Sequence, residues 1–133
     1  MEWEVAFHDE FEEEFDGLSE AVQDAILVGA KLLEKVGPHL NRPHADTLNG
    51  SKYSNMKELR CNAENGVWRI AFAFDPRRTA ILLTAGDKAG VNEKRFYKKL
   101  IAKADERFER HLAAQNETGK EGGSDGKDST QKT

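Results

Sequence analysis

The chain has 133 residues, 38% of them hydrophobic and 33% charged, which is the size and composition of one small domain. This length excludes a second enzymatic domain, and the longest uncharged apolar stretches are far shorter than the ~20 residues of a membrane span. One cysteine cannot form an intramolecular disulfide, and the four histidines show no metal-ligand spacing. The N-terminus is acidic, unlike a secretory signal. We therefore expect a cytoplasmic protein without a metal or cofactor.

The net charge of −4 conceals a strong asymmetry along the chain. Residues 1–36 carry 11 acids and 2 bases, a balance of −9, whereas residues 37–112 carry 9 acids and 15 bases, a balance of +6. Electrostatic fields act locally, so a basic face can bind phosphate groups although the protein as a whole is acidic.

The N-terminal segment predicts a strand that continues into a short helix. Apolar side chains alternate along residues 3–7, which is the period of a half-buried strand. Helical spacing follows at Phe11 and Phe15, and the acidic run 12–14 predicts the solvated side of this helix.

A second helix and a long loop come next. Ser19 is a good N-cap, and apolar residues recur at helical spacing until a Gly-Pro pair ends the helix. The stretch from His39 to Asn55 is rich in Pro, Asn, Asp, Ser and Gly and predicts a loop. Loops of this length in small domains are often functional, and His44 and Lys52 are candidates to line a substrate groove in it.

Three strand-like segments follow at residues 56–61, 67–74 and 79–86, and their short connections predict an antiparallel meander. In the middle segment the large apolar side chains share one face, which we expect to be the core: Trp68, Ile70, Phe72 and Phe74. Arg69 is then predicted to stand on the open face of the sheet.

Residues 91–112 predict a closing helix that covers an edge of the sheet and presents a basic set of side chains: Lys94, Arg95, Lys98, Lys99 and Lys103. Residues 113–133 contain no aromatic or large aliphatic side chain and predict a disordered polar tail. The predicted fold is a small α+β domain over residues 1–112, with an N-terminal strand, two helices, a three-stranded antiparallel meander and a C-terminal helix.

Three segments in this order resemble the toxins of the RelE/ParE superfamily, most closely the phage-derived, HigB-like branch. They are Met56-Lys57-Glu58-Leu59-Arg60, Val67-Trp68-Arg69-Ile70-Ala71-Phe72, and Ala80–Ala85 with Gly86-Asp87-Lys88 behind it. The resemblance covers about residues 3–108 and implies a RelE/ParE-like fold and the toxin of a type II toxin-antitoxin module. It further implies a metal-independent, ribosome-dependent endoribonuclease that cuts messenger RNA and blocks translation. The implied partners are an antitoxin, of the helix-turn-helix kind, the ribosome and mRNA.

Metal-free RNA cleavage needs a base for the 2′-hydroxyl proton, cations for the phosphate and an acid for the departing 5′-oxygen. Period-two geometry places Glu58 and Arg60 on one strand face, and we expect this to be the face of Arg69. Glu58 is then the candidate base and Arg69 the phosphate clamp, because a guanidinium can bind two oxygens at once. Arg60 is either a second clamp or the residue that orients Glu58.

Lys88 and Tyr97 are candidates for the leaving-group side and for stacking on a base. The predicted RNA-binding residues are basic side chains of the long loop and the last helix: Lys52, Lys94, Arg95 and Lys98. Each assignment has a structural alternative. Glu58, Arg60 and Arg69 can form a cross-strand ion pair, and Tyr97 can belong to the core.

Two other functions compete with the ribonuclease. One is a non-catalytic, ParE-like inhibitor of a topoisomerase or an inactive member that binds its antitoxin. The other, less favoured, is a free-standing RNA-binding domain, because the middle strand offers Arg69 but no aromatic pair on its open face. Catalysis requires Glu58, Arg69 and a leaving-group acid to converge, whereas a binding protein does not need this.

Overall fold

The computed structural model describes residues 2–121, with side chains up to Glu117. The elements follow the predicted order and confirm the α+β class: β1 (Glu4–Phe7), α1 (Asp9–Asp16), α2 (Glu20–Val36), a 3-10 turn (Gly37–His39), β2 (Ala45–Thr47), β3 (Lys57–Ala63), β4 (Gly66–Phe74), β5 (Thr79–Asp87) and α3 (Glu93–Glu121). None of the helices within residues 2–121 has a stretch apolar enough to span a bilayer.

The strands form one mixed sheet in the order β1-β5-β4-β3-β2. The predicted meander of β3, β4 and β5 is confirmed as antiparallel, and β1 joins it parallel to β5. A parallel neighbour needs a crossover connection, which the intervening helices and strands provide.

Helices cover both faces of the sheet, so the prediction of an open face was wrong. Ile70 and Phe72 pack with α1 and α2, as the alternation predicted. On the other face, α3 packs on Ala71 and Ala73, and Arg69 is only 5% exposed. Alanines leave room for a helix to lie close to the sheet, so small side chains here indicate a packed face rather than a solvated one.

The predicted loop contains the 3-10 turn and β2, which pairs antiparallel with β3 and places Asp46 opposite Glu58. A three-residue strand has no sequence period of its own. Its backbone hydrogen bonds to the edge of β3 create it, so only the folded sheet reveals it.

Helix α3 extends to Glu121, so the predicted helix end at Leu112 was wrong. The helix continues because Gln115 donates a hydrogen bond to the buried Asp75 carboxylate, 2.6 Å away. The remainder of the predicted tail, residues 122–133, lies outside the described residues.

The acidic run 12–14 on α1 is exposed to solvent, as predicted, and its last residue also contacts α3. Glu14 accepts a 3.0 Å hydrogen bond from Arg107 of α3, and Glu10 binds Arg110. Part of the acidic N-terminal charge is therefore neutralised by the basic half of the chain. Glu12 and Glu13 are exposed, as predicted.

Gly86 lets α3 approach the sheet beside the predicted site. A Cβ atom at this position would lie 2.8 Å from the Phe96 ring, a distance that real Cβ contacts almost never show. Because Gly86 has no side chain, Phe96 packs directly on β5. This contact fixes the position of the neighbouring Tyr97.

Candidate active site

Three side chains from three elements converge on the carboxylate of Glu58. Arg60 on the same strand donates a 2.8 Å hydrogen bond from Nη1 to Oε2, and the Tyr97 hydroxyl of α3 donates a 2.9 Å hydrogen bond to Oε1. Arg69 on β4 brings its Nε to 3.8 Å from Oε1. The carboxylate, 3% exposed as a residue, is held in one orientation.

The strand register places more positive charge here than one carboxylate can balance. Arg60 and Arg69 stand directly opposite each other on β3 and β4, an arrangement in which like charges repel. Glu58 lies beside both guanidiniums. The cluster of Glu58, Arg60 and Arg69 therefore carries one net positive charge.

Arg69 is buried, and its guanidinium has more N–H donors than hydrogen-bond partners among the described residues. Its Nη1 donates a 3.0 Å hydrogen bond to the Trp68 carbonyl, while Nε has no hydrogen-bond partner among the described residues. A guanidinium carries five N–H donors, and a buried donor without a partner costs stability. An anion that entered beside Glu58 would satisfy these donors.

Tyr97 is held in its neutral form. Burial, and next the hydrogen bond to Glu58, raise the pKa of its phenol, so the hydroxyl keeps its proton at neutral pH. The Lys88 ammonium lies 5.6 Å from the centre of the Tyr97 ring and 3.1 Å from Glu93 Oε1. Lys88 thus reaches the cluster from the end of β5, as predicted.

A groove of about 360 Å³ opens on this cluster, lined by Arg42, Asp46, Thr47, Leu48, Asn49, Glu58, Arg60, Lys88, Glu93 and Tyr97. A second crevice of about 260 Å³ adjoins it, lined by Arg42, Pro43, Arg60, Cys61, Asn62 and Arg69, with no acidic residue among them. The crevice is therefore suited to an anion.

Two residues of the groove, Arg42 and Asp46, were not predicted from the sequence. Arg42 Nε lies 2.8 Å from the Asp46 carboxylate, and the pair forms one wall of the groove. The sequence signal for this pair is weak, because the two residues stand four apart in the predicted loop. Only the pairing of β2 with β3 brings them to the cluster.

The structure brings four predicted residues to the groove, namely Glu58, Arg60, Lys88 and Tyr97, with Arg69 behind them at the crevice. It does not bring Lys52, which pairs with Glu109 of α3 outside the groove, or His44, which lies exposed elsewhere. The exposed basic side chains on the first turns of α3 do not line the groove either: Lys94, Arg95 and Lys98. Glu58 and Arg60 also form the ion pair of the structural alternative.

Within the described residues, no three His, Cys, Asp or Glu side chains are grouped to hold a metal ion. Cys61 is half-buried in the core beside β4, and burial raises the pKa of its thiol. The thiol therefore stays protonated at neutral pH, as in a small core residue.

The fold is that of RelE-like proteins. The free E. coli toxin RelE, in a mutant form, superposes with a TM-score of 0.54 at 12% identity and covers 77% of this chain and 97% of its own. RelE in the archaeal RelE-RelB complex from Pyrococcus horikoshii gives a TM-score of 0.50 at 15% identity over 68% of this chain and 100% of its own.

Sequence relatives identify the branch of RelE-like proteins that this chain resembles. The family model described as "Phage derived protein Gp49-like" matches residues 13–109, and the chain belongs to this family. It is 42% identical over 104 residues to a Mycobacterium tuberculosis protein described as "Putative toxin HigB2" and 47% identical over 102 residues to "Putative toxin HigB3". Each match covers 77% of this chain, which spans about half (51%) of the first relative and 87% of the second. The resemblance to the HigB-like branch is confirmed.

Proposed function

We propose that this protein is the toxin of a type II toxin-antitoxin module and that it is an endoribonuclease that cuts mRNA on the ribosome. The observation that carries the proposal is the convergence of Glu58, Arg60, Arg69, Lys88 and Tyr97 around one groove and its adjoining crevice. The names of the two mycobacterial relatives support the toxin role. A non-catalytic topoisomerase inhibitor would need no such arrangement of a base, clamps and an acid.

The groove supplies each group that cleavage through the 2′-hydroxyl requires. Glu58 takes the 2′-hydroxyl proton, and the 2′-oxygen forms a bond to phosphorus. Arg69 and Arg60 hold the non-bridging oxygens, where negative charge builds up in the transition state. The Lys88 ammonium gives a proton to the 5′-oxygen as its bond to phosphorus breaks. The products are a 2′,3′-cyclic phosphate and a free 5′-hydroxyl.

Tyr97 and Arg42 act on the geometry of the bound RNA. The Tyr97 hydroxyl fixes the direction of the Glu58 carboxylate, and its half-buried ring lies at the groove, where a base can stack on it. Arg42 reaches both cavities and can bind the phosphate of the neighbouring nucleotide.

The proposed partners are an antitoxin of the helix-turn-helix kind, the ribosome and mRNA, and the proposed compartment is the cytoplasm. The antitoxin is expected to cover the basic half of the chain or the region of α3 and to bring acidic or apolar residues to it. RNA is expected to approach over the exposed basic side chains on the first turns of α3: Lys94, Arg95 and Lys98.

Primer extension on translated and on naked transcripts tests the reaction. We expect cleavage of ribosome-bound mRNA and poor cleavage of naked RNA, because a small groove offers little surface to align RNA alone. Efficient cutting of naked RNA would contradict the ribosome dependence. Products with a 3′-phosphate that never pass through a cyclic phosphate would contradict the mechanism.

Three variants compare the proposed roles. Glu58→Gln should lower the cleavage rate about a hundredfold or more, as removal of a general base does. Tyr97→Phe should lower it about tenfold, since the base remains but loses its orienting hydrogen bond. Arg77→Met, an exposed position past the far end of β4, is the control and should keep full activity. Full activity of Glu58→Gln would exclude Glu58 as the base.

A further inference from the structure

The outer side of α2 carries an apolar patch in the middle of the helix. Leu27 is 44% exposed and Val28 is 63% exposed, although α2 buries the opposite side in the core. Both residues line a shallow groove of about 470 Å³ together with Lys31, Leu32 and Lys35. Large aliphatic side chains at neighbouring exposed positions, beside a concave surface, indicate a contact with another helix.

Charge is distributed symmetrically about this patch. At 100° per residue, six exposed positions fall on one stripe of α2 about 100° wide: Glu20, Asp24, Leu27, Val28, Lys31 and Lys35. The two acids lie toward the N-terminus of the helix, and the two bases toward its C-terminus. The apolar pair separates them.

This stripe is complementary to itself in one register. When two copies of α2 lie antiparallel with a two-fold axis between positions 27 and 28, Leu27 meets Leu27 of the other copy on one side of the axis and Val28 meets Val28 on the other side. Asp24 then faces Lys31, and Glu20 lies beside Lys35. Each of these charged contacts occurs twice, as a two-fold interface requires.

The four charged side chains are free to make these contacts. None of them forms an ion pair with another described residue. This contrasts with the acids Glu10 and Glu14 of α1, which are paired with arginines of α3.

We infer that the chain forms a two-fold symmetric homodimer through antiparallel packing of α2 against α2 of a second copy. The contact is confined to one helix of 17 residues, about 25 Å long, so it is smaller than a standard interface. We therefore expect a weak, reversible dimer, as is typical of small interfaces. Tyr97 and α3 lie on the other face of the sheet from α2.

Sedimentation equilibrium of the full chain, from micromolar to millimolar concentration, measures this association. Wild-type protein should pass from monomer to dimer over the range. Leu27→Glu with Val28→Glu should remain monomeric, because four carboxylates would meet at the two-fold axis. Glu13→Lys, an exposed site on α1, is the control and should associate as the wild type does.

A charge swap tests the register. Asp24→Lys alone places two lysines opposite each other twice and should raise the dissociation constant about tenfold or more, and Lys31→Asp alone should do the same. The double variant Asp24→Lys with Lys31→Asp has the wild-type net charge and should restore the dimer, since each pair is then opposite in sign again. Circular dichroism melting of each variant checks that the exposed substitutions leave the fold intact.

Several outcomes would overturn the inference. A monomer at every concentration would do so, as would a dimer that no α2 substitution weakens. A double swap as weak as the single variants would reject this register. If the chain alone is monomeric and Leu27→Glu weakens its complex with the antitoxin, a different protein covers α2. The measurement concerns association alone, so its result is independent of whether the protein cleaves RNA.

Discussion

Arg69 and Arg107 are both buried, each 5% exposed, but their partners differ. Arg107 on α3 donates to Glu14 on α1 and to the Leu83 carbonyl on β5, and its Nε lies 3.1 Å from Glu10. Arg69 has no carboxylate of its own. It is 3.8 Å from Glu58, which already bonds to Arg60 and Tyr97.

The difference supports a structural role for Arg107 and the proposed role of Arg69 as a phosphate clamp. Arg107 joins α1, β5 and α3 through hydrogen bonds to Glu14 and to the Leu83 carbonyl. Its Nε, like that of Arg69, has no hydrogen-bond partner among the described residues, but the carboxylates of Glu10 and Glu14 balance its charge within the fold. A buried charge with incomplete pairing costs stability, and such a cost is typically tolerated where a ligand later provides the missing partner. Arg69 fits this second description.

The largest expected effect comes from Arg69→Met, which keeps much of the side-chain volume and removes the charge. The cleavage rate should fall about a hundredfold to a thousandfold, the usual loss for one preorganised donor to a transition state. Unfolding free energy should change by about 1 kcal/mol or less, because Glu58 keeps its bonds to Arg60 and Tyr97. Single-turnover cleavage and urea unfolding on the same sample measure both effects.

Either of two other results would contradict the proposed contrast between Arg69 and Arg107. A stable, fully active Arg69→Met protein would remove Arg69 from the site, and a strongly destabilised one would make it a structural ion-pair residue.

Arg107→Met should show the converse pattern. We expect a loss of about 2 kcal/mol in unfolding free energy, because the Leu83 carbonyl loses its donor in the interior. The loss stays below the 3–5 kcal/mol typical of a broken buried pair, since Glu10 and Glu14 are exposed enough to be hydrated. Cleavage by the folded fraction should be unchanged. A loss of cleavage rate comparable to that of Arg69→Met would contradict the assignment of Arg107 to the fold and of Arg69 to the proposed site.

Neutralising the basic start of α3 should have a moderate effect. Replacing Lys94, Arg95 and Lys98 by Gln should raise the KM for ribosome-bound mRNA about tenfold at low salt and flatten its salt dependence, because these exposed charges act through counterion release. Lys99→Gln with Lys103→Gln, on another side of the same helix, is the control. Equal effects of the two sets would mean that the whole helix, rather than its start, faces the RNA.

The smallest effect concerns acid stability. The hydrogen bond from Arg107 holds the pKa of the Glu14 carboxyl below its ordinary value of about 4.3. A carboxyl with a lowered pKa in the folded state contributes stability that is complete above its ordinary pKa and is lost as the pH falls through the folded-state value. Arg107→Met should therefore show a flatter decline of its urea midpoint between neutral pH and about pH 3 than the wild type. Parallel declines would mean that this pair carries no pH-dependent stability.

Period-two alternation was enough to place the key strand residues. It predicted that Glu58 and Arg60 share a strand face and lie on the side of Arg69, and that Trp68, Ile70 and Phe72 share the buried face. It could not tell that the other face was covered, because alternation reports which side chains share a face and is silent on what packs against it. Arg69 was therefore expected in solvent, although it is buried.

The sequence by itself determined the order of elements, the class of the fold and the strand residues that meet at the site, because these depend on local periodicity and turn chemistry. Only the tertiary structure decided that α3 lies over Ala71 and Ala73, that Tyr97 donates to Glu58 and that Arg42 reaches the groove from the segment before β2. These are contacts between segments distant in the chain. They depend on side-chain volumes and on hydrogen-bond partners that become defined when the segments pack together.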